Sequence, residues 1–254
     1  MKSFNFKSAS NTKEATKLAT KHATFLAGGM TLLPAIKLRL AAYSDLINLK
    51  KIKSLSGIKA SRKTLRIGST TTHAEVAASN EVGKSIPSLA FLAEGIGDPQ
   101  VRNRGTIGGS IANNDPAADY PAACLALNAI IHTGKRKITA DKFFKGMFET
   151  DLKKGELIES IEFEIPEKSA YAKFPNPASR YALVGVYVAK LKKEMRVAVT
   201  GVESFVFRCK KLEKALADNF SSSAVDNVTI SSNGFNADIH ASAEYRAHII
   251  KVMT

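Results

Sequence analysis

Cysteine is scarce: the 254 residues hold two, Cys124 and Cys209, far apart and outside any C-x-x-C. That excludes a disulfide framework and a cysteine-held metal or iron–sulfur site within the chain. A reduced, cytoplasmic setting fits best. Long apolar runs are missing too, so no segment reaches the ~18 residues of a membrane span. The start, Met1-Lys2-Ser3-Phe4-Asn5-Phe6-Lys7, lacks the apolar stretch of a signal peptide. Acidic residues are few: 23 Asp+Glu face 37 Lys+Arg, for a net charge of +14. Such an excess favours an acidic partner or nucleic acid. The lysines, however, are dispersed, and no nucleic-acid-binding motif accompanies them. A lysine-rich solvated surface is the plainer reading. With 44% apolar and 24% charged residues the chain is globular.

Strand and helix alternate at first. Asn11-Thr12-Lys13-Glu14 reads as a capping box opening a helix to about Lys21. Strands follow at 24–27 and 46–49, with a helix at 31–40 between them. This small β-α-β-α-β unit ends near Gly57. A second segment opens with the strand 64–68 and a capping box at Thr72-His73-Ala74-Glu75. Helices are predicted at 87–94 and 117–127, with Asp115 as the cap of the latter. Strand character returns at 130–133, 143–144 and 157–163. Three prolines between Pro166 and Pro177 make that stretch the best boundary candidate. Beyond it, 181–191 and 196–202 read as paired strands, and 210–217 and 241–253 as helices. The expected units are 1–57, 58–168 and 174–254.

Two glycine loops carry the chemistry. In the first, Ala27-Gly28-Gly29-Met30-Thr31-Leu32-Leu33-Pro34 lies between strand and helix, where bare backbone N–H groups can face an anion. The second runs from Gly105 to Asp119 and sets Gly108-Gly109 among hydroxyls, asparagines and the acids Asp115 and Asp119. Clustered N–H and O–H donors suit a pyrophosphate; acidic acceptors suit a ribose or sugar-alcohol chain. Together the loops look like two sides of one dinucleotide clamp. The G-x-G-x-x-G fingerprint is absent. Gly83-Lys84-Ser85 fails as a phosphate loop because Ala78 stands where its first glycine belongs. The five histidines have no metal spacing, and Cys124 falls on the apolar face of its helix.

The string from Ile96 through Gly97-Asp98-Pro99-Gln100-Val101-Arg102-Asn103-Arg104-Gly105-Thr106-Ile107-Gly108-Gly109-Ser110-Ile111-Ala112-Asn113-Asn114-Asp115-Pro116-Ala117-Ala118-Asp119 resembles the signature of the FAD-binding subunits of molybdenum hydroxylases, the xanthine dehydrogenase and aerobic carbon monoxide dehydrogenase relatives. The nearest likeness is to the carbon monoxide dehydrogenase medium subunit. The loop at 27–34, Pro177 to Val186, and Asp238 to His248 extend it over essentially the whole chain. Arg180 departs, standing where many members have Asp, and the chain ends at Thr254 without the basic tail many members carry.

The resemblance implies an α+β fold, a vanillyl-alcohol-oxidase-like (PCMH-type) FAD domain of two subdomains followed by a small sheet-plus-helices domain. It implies FAD held by Phe25, Leu26, Ala27, Gly28, Gly29, Met30, Thr31 and Leu32 on the first loop; with no histidine or cysteine beside either loop, the cofactor is expected to be bound non-covalently. On the second it implies Thr106, Ile107, Gly108, Gly109 and Ser110, with Asp115 beyond them. Ile96 would pack on the cofactor and Asp119 would face it. Ile158 and Lys173 take later contact positions, and Tyr181 lies against the isoalloxazine. No residue is implied as a general acid or base. The expected role is an electron relay, with iron–sulfur clusters on a small subunit and the molybdenum cofactor on a large one, in a dimer of heterotrimers. Two rival readings stand beside it: a self-sufficient flavin oxidase of the same fold, and a basic nucleic-acid or phosphate-binding module.

Overall fold

A computed structural model describes residues 2–254. It has three main sheets. The first is parallel, with the strand Asp45–Asn48 between Asn5–Ser8 and Ala23–Leu26. The helices Thr12–Leu18 and Leu32–Lys37 make the crossovers that parallel pairing requires. The Asn11 side chain accepts from Glu14 N–H, as a cap should. That helix stops at Leu18, short of Lys21. The next stops at Lys37, because Arg39 turns into the left-handed region (φ +61°).

The second sheet is antiparallel, in the order Ile58–Ala60, Thr64–Gly68, Ile158–Glu164, Ile130–Thr133, Lys137–Thr139. Leu65, Ile67, Ile131, Ile161 and Phe163 point from it into the largest core, which also holds the buried Tyr120, Cys124 and Phe143. Thr72 and Glu75 form the expected capping box on His73–Ala78. Pro87–Glu94 is helical, with proline in the first turn, where its missing N–H costs nothing.

Sequence and structure part at several places. A further helix, Asn80–Ser85, is capped by Ser79. The glycine-rich stretch contains the helices Pro99–Arg102 and Ile107–Asn113. The expected helix 117–127 covers only Tyr120–Ala126, so Asp115 is not its cap. Its Oδ1 instead accepts from Ala117 N–H (2.9 Å), closing a tight turn. Phe143 ends the helical turn Ala140–Phe143, and only Phe144–Gly146 is a strand, paired with Glu149–Thr150. The proline-marked stretch is mostly the strand Lys168–Pro175, with Pro175 at its end, where no ladder bond is lost.

That strand begins the third sheet, an antiparallel ladder with Ala182–Lys190, Met195–Thr200 and Phe207–Arg208. Val184, Val186, Val197 and Val199 face the helices Lys210–Asp218 and Ala243–Met253. Tyr187, Ala189 and Ala198 face the other way, into the large core. Both faces are covered, which explains why nearly every residue of the two central strands is buried. Polar anchors fix this sheet to the middle of the molecule. Arg196 Nη1 donates to Leu125 O (2.9 Å), and Tyr187 and Ser88 share a hydrogen bond of 2.6 Å. The Thr200 hydroxyl lies 2.9 and 2.8 Å from the carbonyls of Pro116 and Ala118.

An ionic clasp closes the second sheet's edge. Arg136 reaches Glu156 (2.8 Å) and Asp151 (2.6 Å), and Thr133 Oγ1 donates to Glu156 Oε1 (2.8 Å). The guanidinium beside Glu156 holds its buried carboxyl down to about 2, overcoming the burial that opposes it. A depressed carboxyl stabilises the fold fully above its ordinary value near 4.5 and loses that contribution as pH falls towards 2. Arg136→Met is therefore expected to lower the melting temperature at pH 7 and to flatten its fall between pH 4.5 and 3. Thermal melts of both proteins across that range check this; parallel curves would contradict it.

Candidate functional site

A cleft of about 540 Å³ opens where the parallel strands end and the second sheet's helices begin. It is within the size range of small-molecule and cofactor sites. Phe25, Leu26, Ala27, Gly28, Gly29, Met30, Thr31 and Leu32 form one wall. Thr106, Gly108, Gly109, Ser110, Asp115 and Asp119 form another. Ile96, Ile158 and Tyr181 complete the set of expected residues that line it. Two expected residues do not. Ile107 is fully buried in the large core, because it starts a helix whose first side chain points inward. Lys173 lies behind the wall and acts through Asp119.

The glycines have different reasons. A Cβ on Gly28 would sit 2.0 Å from Arg104 O, so the two loops touch backbone to backbone. Gly29 has φ +77°, a conformation side chains disfavour. A Cβ on Gly108 would come within 2.6 Å of Ser69 O. Gly109 is exposed, and a Cβ there would meet only the Thr106 hydroxyl.

The donors divide sharply between the loops. On the second, Ile107 N–H donates to Thr71 O (3.1 Å) and Gly108 N–H to Ser69 O (2.9 Å). Gly109 N–H is capped by Thr106 Oγ1 (3.1 Å). The Gly108 and Gly109 amides, expected to face a pyrophosphate, each have an acceptor within the chain. On the first loop, the N–H groups of Gly28, Gly29, Met30, Thr31 and Leu32 have no acceptor among the described residues. Thr31 supplies no side-chain cap to the helix that follows. A row of unsatisfied amides in a cleft wall suits an anion.

Sequence reasoning missed Ser69 and His73, which also line the cleft. Ser69 Oγ is buried without a partner. The run Ser69-Thr70-Thr71-Thr72 after a strand was the available signal. His73 packs its ring 5.3 Å from that of Tyr120 and lies against Gly105. Burial, helped by the Arg102 charge, lowers His73 to about 4, so it is neutral at pH 7.

Asp119 sits at the mouth of its helix, buried. Tyr171 donates to its Oδ1, and Lys173 Nζ lies 3.0 Å from the same oxygen. Burial pushes the Asp119 carboxyl up, against the pull of Lys173 and the Tyr171 hydroxyl. Lys173 Nζ also donates to Gly95 O (2.8 Å) and Arg180 O (3.1 Å). Arg180, at φ +60°, donates to Gly97 O (3.1 Å) and places Tyr181 at the cleft. Burial raises the Tyr181 phenol, with Asp115 and Asp119 adding to the shift.

Two loops abutting at Gly28, a row of free amides and an orphaned hydroxyl give the α+β chain a cleft suited to a phosphate-bearing cofactor. Residues 2–167 match the family described as "FAD binding domain in molybdopterin dehydrogenase", and the chain belongs to that family. It is 34% identical to the glyceraldehyde dehydrogenase medium chain of Sulfolobus acidocaldarius, over 99% of this chain and 95% of that one. It is 36% identical to the carbon monoxide dehydrogenase medium chain of Hydrogenophaga pseudoflava, over 73% and 69%. Reconstituted CO dehydrogenase from Oligotropha carboxidovorans superposes with a TM-score of 0.91, at 28% identity, covering 99% of this chain and 95% of that one.

The glycine contrast is testable. Gly109→Val projects its side chain towards the cleft, and we expect a folded protein with little bound flavin. Gly108→Val meets the Ser69 backbone and should cost about 3 kcal/mol of stability. Flavin content and urea melts of both variants check this; Gly109→Val with full flavin at normal stability would remove the second loop from the site.

Proposed function

We propose that this chain is the FAD-carrying medium subunit of a molybdenum hydroxylase complex, with FAD bound non-covalently. The observation that carries the reading is the row of unsatisfied amides from Gly28 to Leu32 in the same cleft as the orphaned Ser69 hydroxyl. These amides would hold the diphosphate. The hydroxyls of Ser69, Thr106 and Ser110 and the Asn113 amide line the cleft for the more polar parts of the cofactor. Tyr181, with its half-exposed ring, would cover the isoalloxazine. FAD bound here would take electrons from iron–sulfur clusters on a small partner chain and pass them to an acceptor. The chain's own work is to position the cofactor and set its surroundings.

No cleft residue is offered as a substrate base. Asp119 and Glu156 are each held by a cation, and His73 is buried. The chemistry on substrate belongs to a large molybdenum-cofactor partner, within a dimer of heterotrimers. Free, buried cysteines support a cytoplasmic setting. No helix among the described residues is long and apolar enough to cross a membrane. We further propose the units 1–57, 58–168 and 174–254; the three main sheets support a division into three, with the strand Lys168–Pro175 going to the third sheet and so to the third unit.

Denaturing the protein should release FAD into the supernatant, with none left on the precipitate. The purified chain alone should leave its flavin oxidised when hydroxylase substrates are added without oxygen. Flavin bleaching by the lone chain would overturn the relay reading in favour of a self-sufficient oxidase.

A further inference from the structure

The hairpin between Phe144–Gly146 and Glu149–Thr150 ends in Met147 and Phe148, 53% and 58% exposed. Apolar side chains at the tip of a two-residue turn stay more than half exposed, where Asn-Gly or Asp-Gly would be the ordinary choice. Phe148 moreover has φ +55°, a region that costs a bulky residue energy. Such strain persists only where the surroundings over-determine it.

The surroundings here are Asn114. It is fully buried and itself left-handed, with φ +46°. Its Nδ2 donates to Gly146 O (2.7 Å) and Glu149 O (2.9 Å). Its carbonyl accepts from Phe148 N–H (3.1 Å). Asn114 is also the C-cap of the helix Ile107–Asn113, whose other end is the second loop of the cleft. That helix is about 10 Å long. The tip is thus clamped to the far end of the element that forms one cleft wall. The flanking stretch 141–154 carries the exposed Lys142, Lys145, Lys153 and Lys154 and the exposed acids Asp141 and Glu149. Lys145 reaches Asp151 at 3.8 Å, and the other three lysines make no ion pair among the described residues. Lys153 and Lys154 follow Leu152, which lines the cleft.

From this we infer that the Met147–Phe148 tip is a docking knob for the electron-delivering partner chain, which presents an apolar socket with an acidic rim. The inference rests on the medium-subunit reading and names the surface it uses. Three features favour this occupant. A chain that delivers electrons to the cleft must seat near its wall, and the tip is fixed to that wall. A rigid, pre-ordered apolar anchor loses little entropy on binding. The flanking stretch has a lysine excess, four against three acids of which Asp151 is paired with Arg136, and this complements acidic side chains that steer encounter. Buried aromatic anchors of this kind dominate binding energy.

The test uses the tagged full chain expressed in its native cells, purified with and without the double substitution Met147→Ser and Phe148→Asn. Asparagine tolerates the left-handed backbone, so the hairpin is kept. Flavin per chain and melting temperature should match wild type. Iron per flavin should fall at least tenfold, as expected when an anchor worth more than 1.4 kcal/mol is removed. Unchanged iron per flavin in the variant would overturn the docking surface alone. Wild-type protein that elutes with flavin but no iron would overturn the medium-subunit reading and the knob with it. Should the variant lose flavin or melt early, Phe148→Asn alone gives the same readout, and retained iron in that folded variant overturns the inference.

Discussion

The site depends on which backbone amides the fold leaves free. The strand Thr64–Gly68 is followed by Ser69 and Thr71, whose carbonyls take the amides of Gly108 and Ile107. Thr106 takes that of Gly109. The second glycine loop is therefore a braced wall, held in place by its own hydrogen bonds. The first loop has no such neighbour, and its amides from Gly28 to Leu32 stay available. A buried or cleft-facing N–H without an acceptor is costly unless a ligand or water supplies one. The asymmetry between the loops supports the proposal that one shapes the cleft and the other holds the anion.

The remaining parts of the structure keep those walls in register. Thr200, from the third sheet, reaches the carbonyls of Pro116 and Ala118 just before Asp119. Tyr171 and Lys173, from the same sheet, hold the Asp119 carboxylate itself. Lys173 then joins Gly95 to Arg180, so the turn before the cleft and the segment bearing Tyr181 share one ammonium group. The third sheet is thus more than an appendage. It fixes an acid, a cation and an aromatic ring at one end of the cleft.

Much of this was legible in the residues. The glycine loops, the capping box at Thr72, the proline-started helix at 87–94 and the Val-rich strand pair all follow from local rules, and the structure has them. The family resemblance rests on a string long enough to survive every local error. What could not be read was long-range. Nothing in Gly108-Gly109 says that Ser69, 39 positions earlier, accepts the amide of Gly108. Ile107 looked like part of a loop, yet the helix it begins turns its side chain into the core. The strand Lys168–Pro175 hides behind prolines whose positions at its edges cost nothing. The hairpin at 147–148 has no turn residue at all, because Asn114 holds it from outside.

The most direct measurement is amide hydrogen exchange on the apo-chain and the FAD-loaded chain, resolved over residues 27–33 and 105–110. The account predicts fast exchange at Gly28 to Leu32 without cofactor and strong protection with it. It predicts that Ile107, Gly108 and Gly109 are already protected without FAD and change little. Protection gained at Gly108 and Gly109, with the first loop unaltered, would contradict the assignment of the anion to the first loop.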